Sequence, residues 1–201
     1  IVFSNGAGIY HTQKGIIKYH TISNEKAYKI YKILSEYETF IEVYTGGAPY
    51  VDKAKFSDES FEYYKIDKDF IPEMYKSRRI SNSLDNLIFD PDFKTEMFDV
   101  FFKNQDERKA CQERLQKEFD SVEITTSMTN NLEIMLKGIN KGSALRELCK
   151  IAGYNIKDVT VVGDSKNDLT AFSTEARKYA VSNACNEIKA LADKIICSND
   201  E

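Results

Sequence analysis

Residues Asp158–Leu169 read DVTVVGDSKNDL. The β-branched run Val159, Thr160, Val161 and Val162 stops at Gly163 and hands the chain to Asp164, Ser165, Asn167 and Asp168, so a strand is predicted to end in a cluster of polar side chains. A short apolar run bounded by Gly suits a strand buried on both faces, as in a parallel sheet. Open α/β sheets hold their ligands at the carboxyl ends of strands, where this cluster falls. Two Asp four residues apart with an Asn between them offer oxygen ligands for a hard cation. They leave room for waters and a substrate phosphate, the coordination Mg2+ prefers. Asp, Ser and Asn after a strand equally build ordinary turns and helix N-caps, and this stretch alone leaves both readings open.

Upstream, INKGSALRELCKIAG, residues 139 to 153, places Lys141 and Gly142 at the opening of a predicted helix. Its apolar positions Leu145, Leu148, Ile151 and Ala152 share one face, and Gly153 is placed to end it as a C-cap. A lysine there is a mobile point charge able to reach a phosphate, and read alone it is a solvated surface lysine. Taken together, KGSAL from Lys141, VVGDSKND from Val161 and VSNACNEIKALADKII from Val181 resemble the C-terminal half of the Cof-type haloacid dehalogenase-like phosphatases, without a gap from Asn140 to Ile196. The resemblance implies Mg2+-dependent hydrolysis of small phosphate monoesters of the sugar phosphate, flavin mononucleotide or pyridoxal phosphate type. It implies Lys141 on the phosphate, Asn167 touching it, Asp164 as a metal ligand, and Asp168 at the metal supporting the site.

The chain has 201 residues, 42% of them apolar, with only 3 Pro and 9 Gly, enough to bury a core in one large or two small domains. A formal charge of -4 argues against a nucleic-acid surface, which needs clustered Lys and Arg to displace counterions. No apolar run approaches a membrane span, and no signal-peptide pattern is found. Cys111, Cys149, Cys185 and Cys197 lack metal-ligand spacing and fall in predicted helices or strands, as reduced buried thiols do. The expectation is a cytoplasmic protein, monomer or homodimer, acting on a small phosphorylated metabolite without nucleic-acid or membrane partners.

The opening IVFSNGAGIY contains SNGA-x-IY, similar to a phrase that follows the second catalytic motif of the Cof-type family. That family's first motif, DxDGT, is absent: Asp67-Lys68-Asp69 and Asp90-Pro91-Asp92 lack both the Gly-Thr and a preceding apolar strand. The expectation is a fragment, ending at Glu201 where the family continues into a last helix. By the resemblance, the Asp that forms an aspartyl-phosphate and the Asp that protonates the leaving group lie outside it. The fragment is then inactive alone, with one edge of the strand at Val159 to Val162 either exposed or covered by another chain. The alternative is a non-catalytic fragment that binds phosphate ligands or serves only structure.

Ile9 to Ile22 alternates around Lys14-Gly15 as a hairpin bearing His11 and His20, neither with a ligand-spaced partner. Ser23 or Asn24 caps a helix to Tyr37, and Thr39 to Thr45 and Pro49 to Lys55 flank Gly46-Gly47 as a second hairpin. Residues 56 to 91 have no clear period. A strand at Met97 to Phe102, a helix through Cys111 and Leu115, and strands at Val122 to Thr126 and Leu132 to Leu136 follow. From Gly142, helices and strands alternate, the pattern of a parallel doubly wound sheet. The fold class expected is α/β: a haloacid dehalogenase-like core, incomplete here, at residues 1–22 and 130–201, with an inserted α/β cap at residues 23–129. Tyr44 and Tyr50, beside the Gly-Gly tip, are the cap's candidates for substrate contact, although aromatic residues in strands more often fill a core.

Other chemistries fit less well. Gly163-Asp164-Ser165 is followed by Lys166 where an esterase of the GDSL type has Leu, and no His follows His20 to serve as base. No Gly-rich loop ends in Gly-Lys-Ser or Gly-Lys-Thr, so there is no P-loop. A receiver-type phosphoacceptor Asp belongs in a different strand context and carries no cap.

Overall fold

The computed structural model describes residues 1–199, and the expected chain end at Asp200 and Glu201 lies outside them. The chain divides into two compact units. It begins in the first with β1 (Val2–Phe3), β2 (Gly8–His11) and β3 (Gly15–Tyr19), an antiparallel sheet in that order. In the second unit come α1 (Asn24–Leu34), β4 (Thr39–Thr45), β5 (Ala48–Asp52), α2 (Asp58–Tyr63), α3 (Ile71–Ser77), β6 (Arg79–Ser81), α4 (Leu84–Phe89), β7 (Met97–Phe102), α5 (Gln105–Glu118), β8 (Val122–Thr125) and β9 (Asn131–Leu136). The first unit resumes with α6 (Lys141–Ala152), β10 (Thr160–Gly163), α7 (Leu169–Phe172), β11 (Arg177–Val181), α8 (Asn186–Leu191) and β12 (Lys194–Ile196). With its parallel strands joined through helices, the fold is α/β, as the alternation of patterns predicts.

The first unit consists of residues Ile1–Tyr19, Thr125–Met128 and the chain from Gly138 onward. Its strands β10, β11 and β12 are parallel, with Thr160 to Gly163 paired to Arg177 to Ala180. Phe172, Ala180, Val181, Ala184 and Ile188 form the core under this sheet. Two burial expectations are corrected. Val162 is 56% exposed rather than buried, because among the described residues β10 has a strand on one side only. The buried side of α6 is Gly142, Ala144 and Cys149 instead of Leu145, Leu148 and Ile151. Leu145 and Leu148 line a cavity of about 330 Å3 with Phe3, Ser4, Lys141 and Val161.

The second unit consists of His20–Ile124 and Thr129–Lys137. Its six-stranded sheet has the order β6-β5-β4-β7-β9-β8, with β4 antiparallel to β5 and β7, β7 antiparallel to β9, and β5 parallel to β6. Strand β9, taken with the core in the sequence reading, pairs with β7 here, Asp99 opposite Glu133 and Val100 opposite Leu132. Alternation sends Ile41, Val43, Phe98, Val100, Leu132 and Ile134 to one face, where they pack with buried residues of α1, α4 and α5. The other face carries Phe40 and Phe101, which pack with Val51 and with Phe61, Tyr64, Ile66 and Met74 from the unperiodic segment. That segment therefore folds as α2, α3, β6 and α4, each too short for a helical period to show.

Candidate active site

The first unit brings Lys141, Asp164, Asn167 and Asp168 together at the carboxyl end of β10. Asn140 starts α6: its side chain accepts from the Ser143 N–H at 2.9 Å, and the Ser143 hydroxyl accepts from the Asn140 N–H at 3.0 Å. Lys141 is thereby the first residue of the helix. Gly142 is required behind it, since a Cβ there meets the Thr170 carbonyl oxygen at 2.2 Å. Its N–H donates to Thr170 Oγ1 at 3.1 Å, tying the start of α6 to the start of α7.

Lys141 Nζ donates to Asp168 Oδ1 at 2.6 Å and to Asn167 Oδ1 at 3.0 Å. Asp168 is 7% exposed and uses its second oxygen for the main-chain N–H groups of Asp164 at 3.0 Å and Ser165 at 3.3 Å. Ser165 Oγ donates to Asn167 Oδ1 at 2.9 Å. Gly163 lets the loop fold this tightly, because a Cβ there meets Asp168 Oδ2 at 2.7 Å and Phe172 at 2.8 Å. Asp164 stands apart: it is exposed, and its main-chain oxygen accepts from the Cys185 N–H at 2.8 Å, fixing the loop to the residue before α8.

Both oxygens of Asp168 are thus engaged by protein donors, and Asp164 presents the accessible carboxylate. Among the described residues no group of three or more His, Cys, Asp or Glu side chains is arranged to hold a metal ion. One open carboxylate still fits Mg2+, which is commonly held by one or two carboxylates with waters and substrate phosphate. The turn at Ser4–Gly6 was read only as a family phrase. It lines the same cavity as Lys141, and Ser4 and Asn5 hold φ of 47° and 51°. The Asn-Gly pair was the signal available in the sequence. Gly6 sits so close to α6 that a Cβ meets the Asn140 carbonyl oxygen at 2.5 Å.

Tyr44 and Tyr50 are not brought together. Tyr44 pairs with Pro49 and Val43 with Tyr50, so the two tyrosines lie on opposite faces of the sheet. The Tyr44 hydroxyl donates to Glu42 Oε2 at 3.0 Å, and burial together with the Glu42 charge pushes it well above the usual tyrosine range. Tyr50 accepts from Arg79 at 2.8 Å and packs edge-on against Phe93. The Gly46-Gly47 tip is held by the buried Glu96, whose carboxylate accepts from the Gly47 N–H at 3.1 Å.

Residues 1–201 match the model of the haloacid dehalogenase-like hydrolase family, and the chain belongs to that family. Among its relatives, Phosphatase YwpJ of Bacillus subtilis (strain 168) is 24% identical over 100% of this chain and 75% of its own. The 5-amino-6-(5-phospho-D-ribitylamino)uracil phosphatase YwtE of the same organism is 25% identical over 100% and 74%. A haloacid dehalogenase-like hydrolase structure from B. subtilis shares the fold with a TM-score of 0.81 at 23% identity, covering 98% of this chain and 73% of that one. A subclass IIB sugar phosphatase shares it with a TM-score of 0.76 at 17% identity, covering 98% and 69%. Among the described residues no helix is long and apolar enough to cross a membrane.

Proposed function

We propose that this chain supplies the phosphate-binding and metal-binding side of a Mg2+-dependent phosphatase acting on small phosphate monoesters. The carrying observation is the network of Lys141, Asp168 and Asn167 beside the open carboxylate of Asp164. By formal charge, one lysine against two aspartates leaves the cluster one negative charge in excess. It therefore requires a cation before a phosphate dianion can approach. Asp164 would hold that cation, whose charge would offset that of the transferring phosphoryl group.

Asp168 orients Lys141 and fixes the loop through two main-chain donors, acting as a positioning residue. Lys141 is half-exposed and presents its third N–H donor to a phosphoryl oxygen. Asn167 uses its carbonyl oxygen for Lys141 and Ser165, so the end of its side chain able to donate to phosphate is the amide nitrogen. The relatives named for a phosphorylated ribityl compound and for sugar phosphates support a small phosphorylated metabolite as substrate. The covalent step, attack by an aspartate on phosphorus, needs a carboxylate that the D-x-D-G-T pattern does not provide within these residues.

The 201 residues alone are accordingly expected to give no hydrolysis of an aryl phosphate with Mg2+. Turnover above background places the nucleophile inside this chain and overturns the assignment. In a polypeptide that also carries a D-x-D-G-T strand, Asp164→Ala is expected to abolish Mg2+-dependent turnover and Lys141→Ala to weaken it strongly. Full activity of the Asp164 variant removes the metal role.

A further inference from the structure

The second unit contains a polar row that the proposed chemistry does not use. In the register of its three central strands Glu42 of β4 faces Asp99 of β7, and Asp99 faces Glu133 of β9. Directly opposed residues in antiparallel strands project from the same face with Cβ atoms about 5 Å apart. Three carboxyl groups therefore stand side by side, Glu42 0% and Glu133 5% exposed with the half-buried Asp99 between them. Like charges directly opposed across strands are destabilising, and more so away from water.

Arg78, just beyond α3, makes a two-point contact with Glu42, Nε to Oε1 at 2.8 Å and Nη2 to Oε2 at 3.0 Å. The same carboxylate accepts the Tyr44 hydroxyl. Asp99 receives one hydrogen bond from Asn131 Nδ2 at 2.9 Å. The groups facing Asp99 are then Glu42 and Tyr44 from β4, Glu133 and Asn131 from β9, and Arg78. On β7 itself its same-face neighbours are the apolar Met97 and Phe101. Two carboxyl groups flank it, and the Arg78 guanidinium is matched to Glu42.

We propose that this row holds a proton on Asp99 in the folded unit, so that the six-stranded sheet takes up a proton as it forms and loosens as the solution becomes alkaline. Burial first, then the charges of Glu42 and Glu133, hold the Asp99 carboxyl well above its ordinary value of 3.8. An unfolded Asp99 has released its proton where the folded one keeps it. Stability is thus full below the ordinary aspartate range and is lost as pH rises toward the folded-state value. One proton of difference corresponds to about a tenfold change in the opening constant per pH unit within that window.

The test is amide hydrogen exchange of β4, β7 and β9 in the whole chain between about pH 5 and pH 9, corrected for the intrinsic pH dependence of exchange and compared with Asp99→Asn. Asn keeps the shape and an acceptor for Asn131 and removes the titration. The expected result is protection that falls with pH in the natural sequence and a slope shallower by about one proton in the variant. Equal slopes overturn the proposal. If Asp99→Asn fails to fold, infrared spectroscopy of the natural chain with carboxyl-labelled aspartate decides. A protonated aspartic acid band at neutral pH supports the proposal, and its absence overturns it.

Discussion

Asp168 does two things that a surface aspartate does not: one oxygen holds Lys141, and the other closes the loop on the N–H groups of Asp164 and Ser165. Asp168→Asn keeps the shape but gives up a charge-assisted bond, and a hydrogen bond to a charged group contributes about 1.5–3 kcal/mol. Urea unfolding is expected to show a loss of about 2 kcal/mol, and a variant as stable as the natural chain shows that the Lys141 pair contributes little. Arg78 and Glu42 are nearly inaccessible, with side chains 5% and 0% exposed. Removing one partner leaves a buried charge uncompensated, so Arg78→Met is expected to cost about 3–5 kcal/mol. Replacing both by apolar residues recovers most of it, and a double-mutant cycle checks the coupling. That Lys141 opens a helix and Asp164 follows a strand was legible in the sequence. The Glu42, Asp99 and Glu133 row was not, because its members are far apart in sequence and only the strand register brings them into line.

At the scale of elements, α6 shows how local signals carry through. Gly153 takes φ of 72° and ends the helix, as read. Asn140 and Ser143 cap its start reciprocally, so Asn140→Ala is expected to lower stability by about 1 kcal/mol. Thermal unfolding of the variant checks this, and no shift shows that the cap is redundant. Gly142→Ala is expected to be worse, because the nearest obstacle is the Thr170 main-chain oxygen at 2.2 Å. Main chain cannot swing away as a flexible side chain does. The β4–β5 hairpin shows the limit of such reading. Period two alone assigns Tyr44 and Tyr50 to opposite faces once the turn length is known, and the turn length is settled only by pairing Thr45 with Ala48. The tip is anchored by Glu96, which lies next to β7 in the chain and has no local signature of that role.

At the scale of the molecule, the second unit has its own hydrophobic core. Its sheet, its two hydrophobic clusters and the buried Arg78–Glu42 pair are internal to it. A chain limited to residues 20–137 is therefore expected to fold by itself with a cooperative transition. Loss of near-ultraviolet tyrosine signal in that fragment counts against the expectation. By itself the sequence determined the α/β class, the order of most helices and strands, the family and the loop residues of the first unit. Each of these rests on short-range information: hydrophobic period, glycine and cap positions, and contiguous motif. Only the tertiary structure decided that Val162 is exposed, that Tyr44 and Tyr50 part company, and that three carboxyl groups align across β4, β7 and β9. Burial and charge coupling depend on which strand lies beside which, and that adjacency is set by packing of segments distant along the chain.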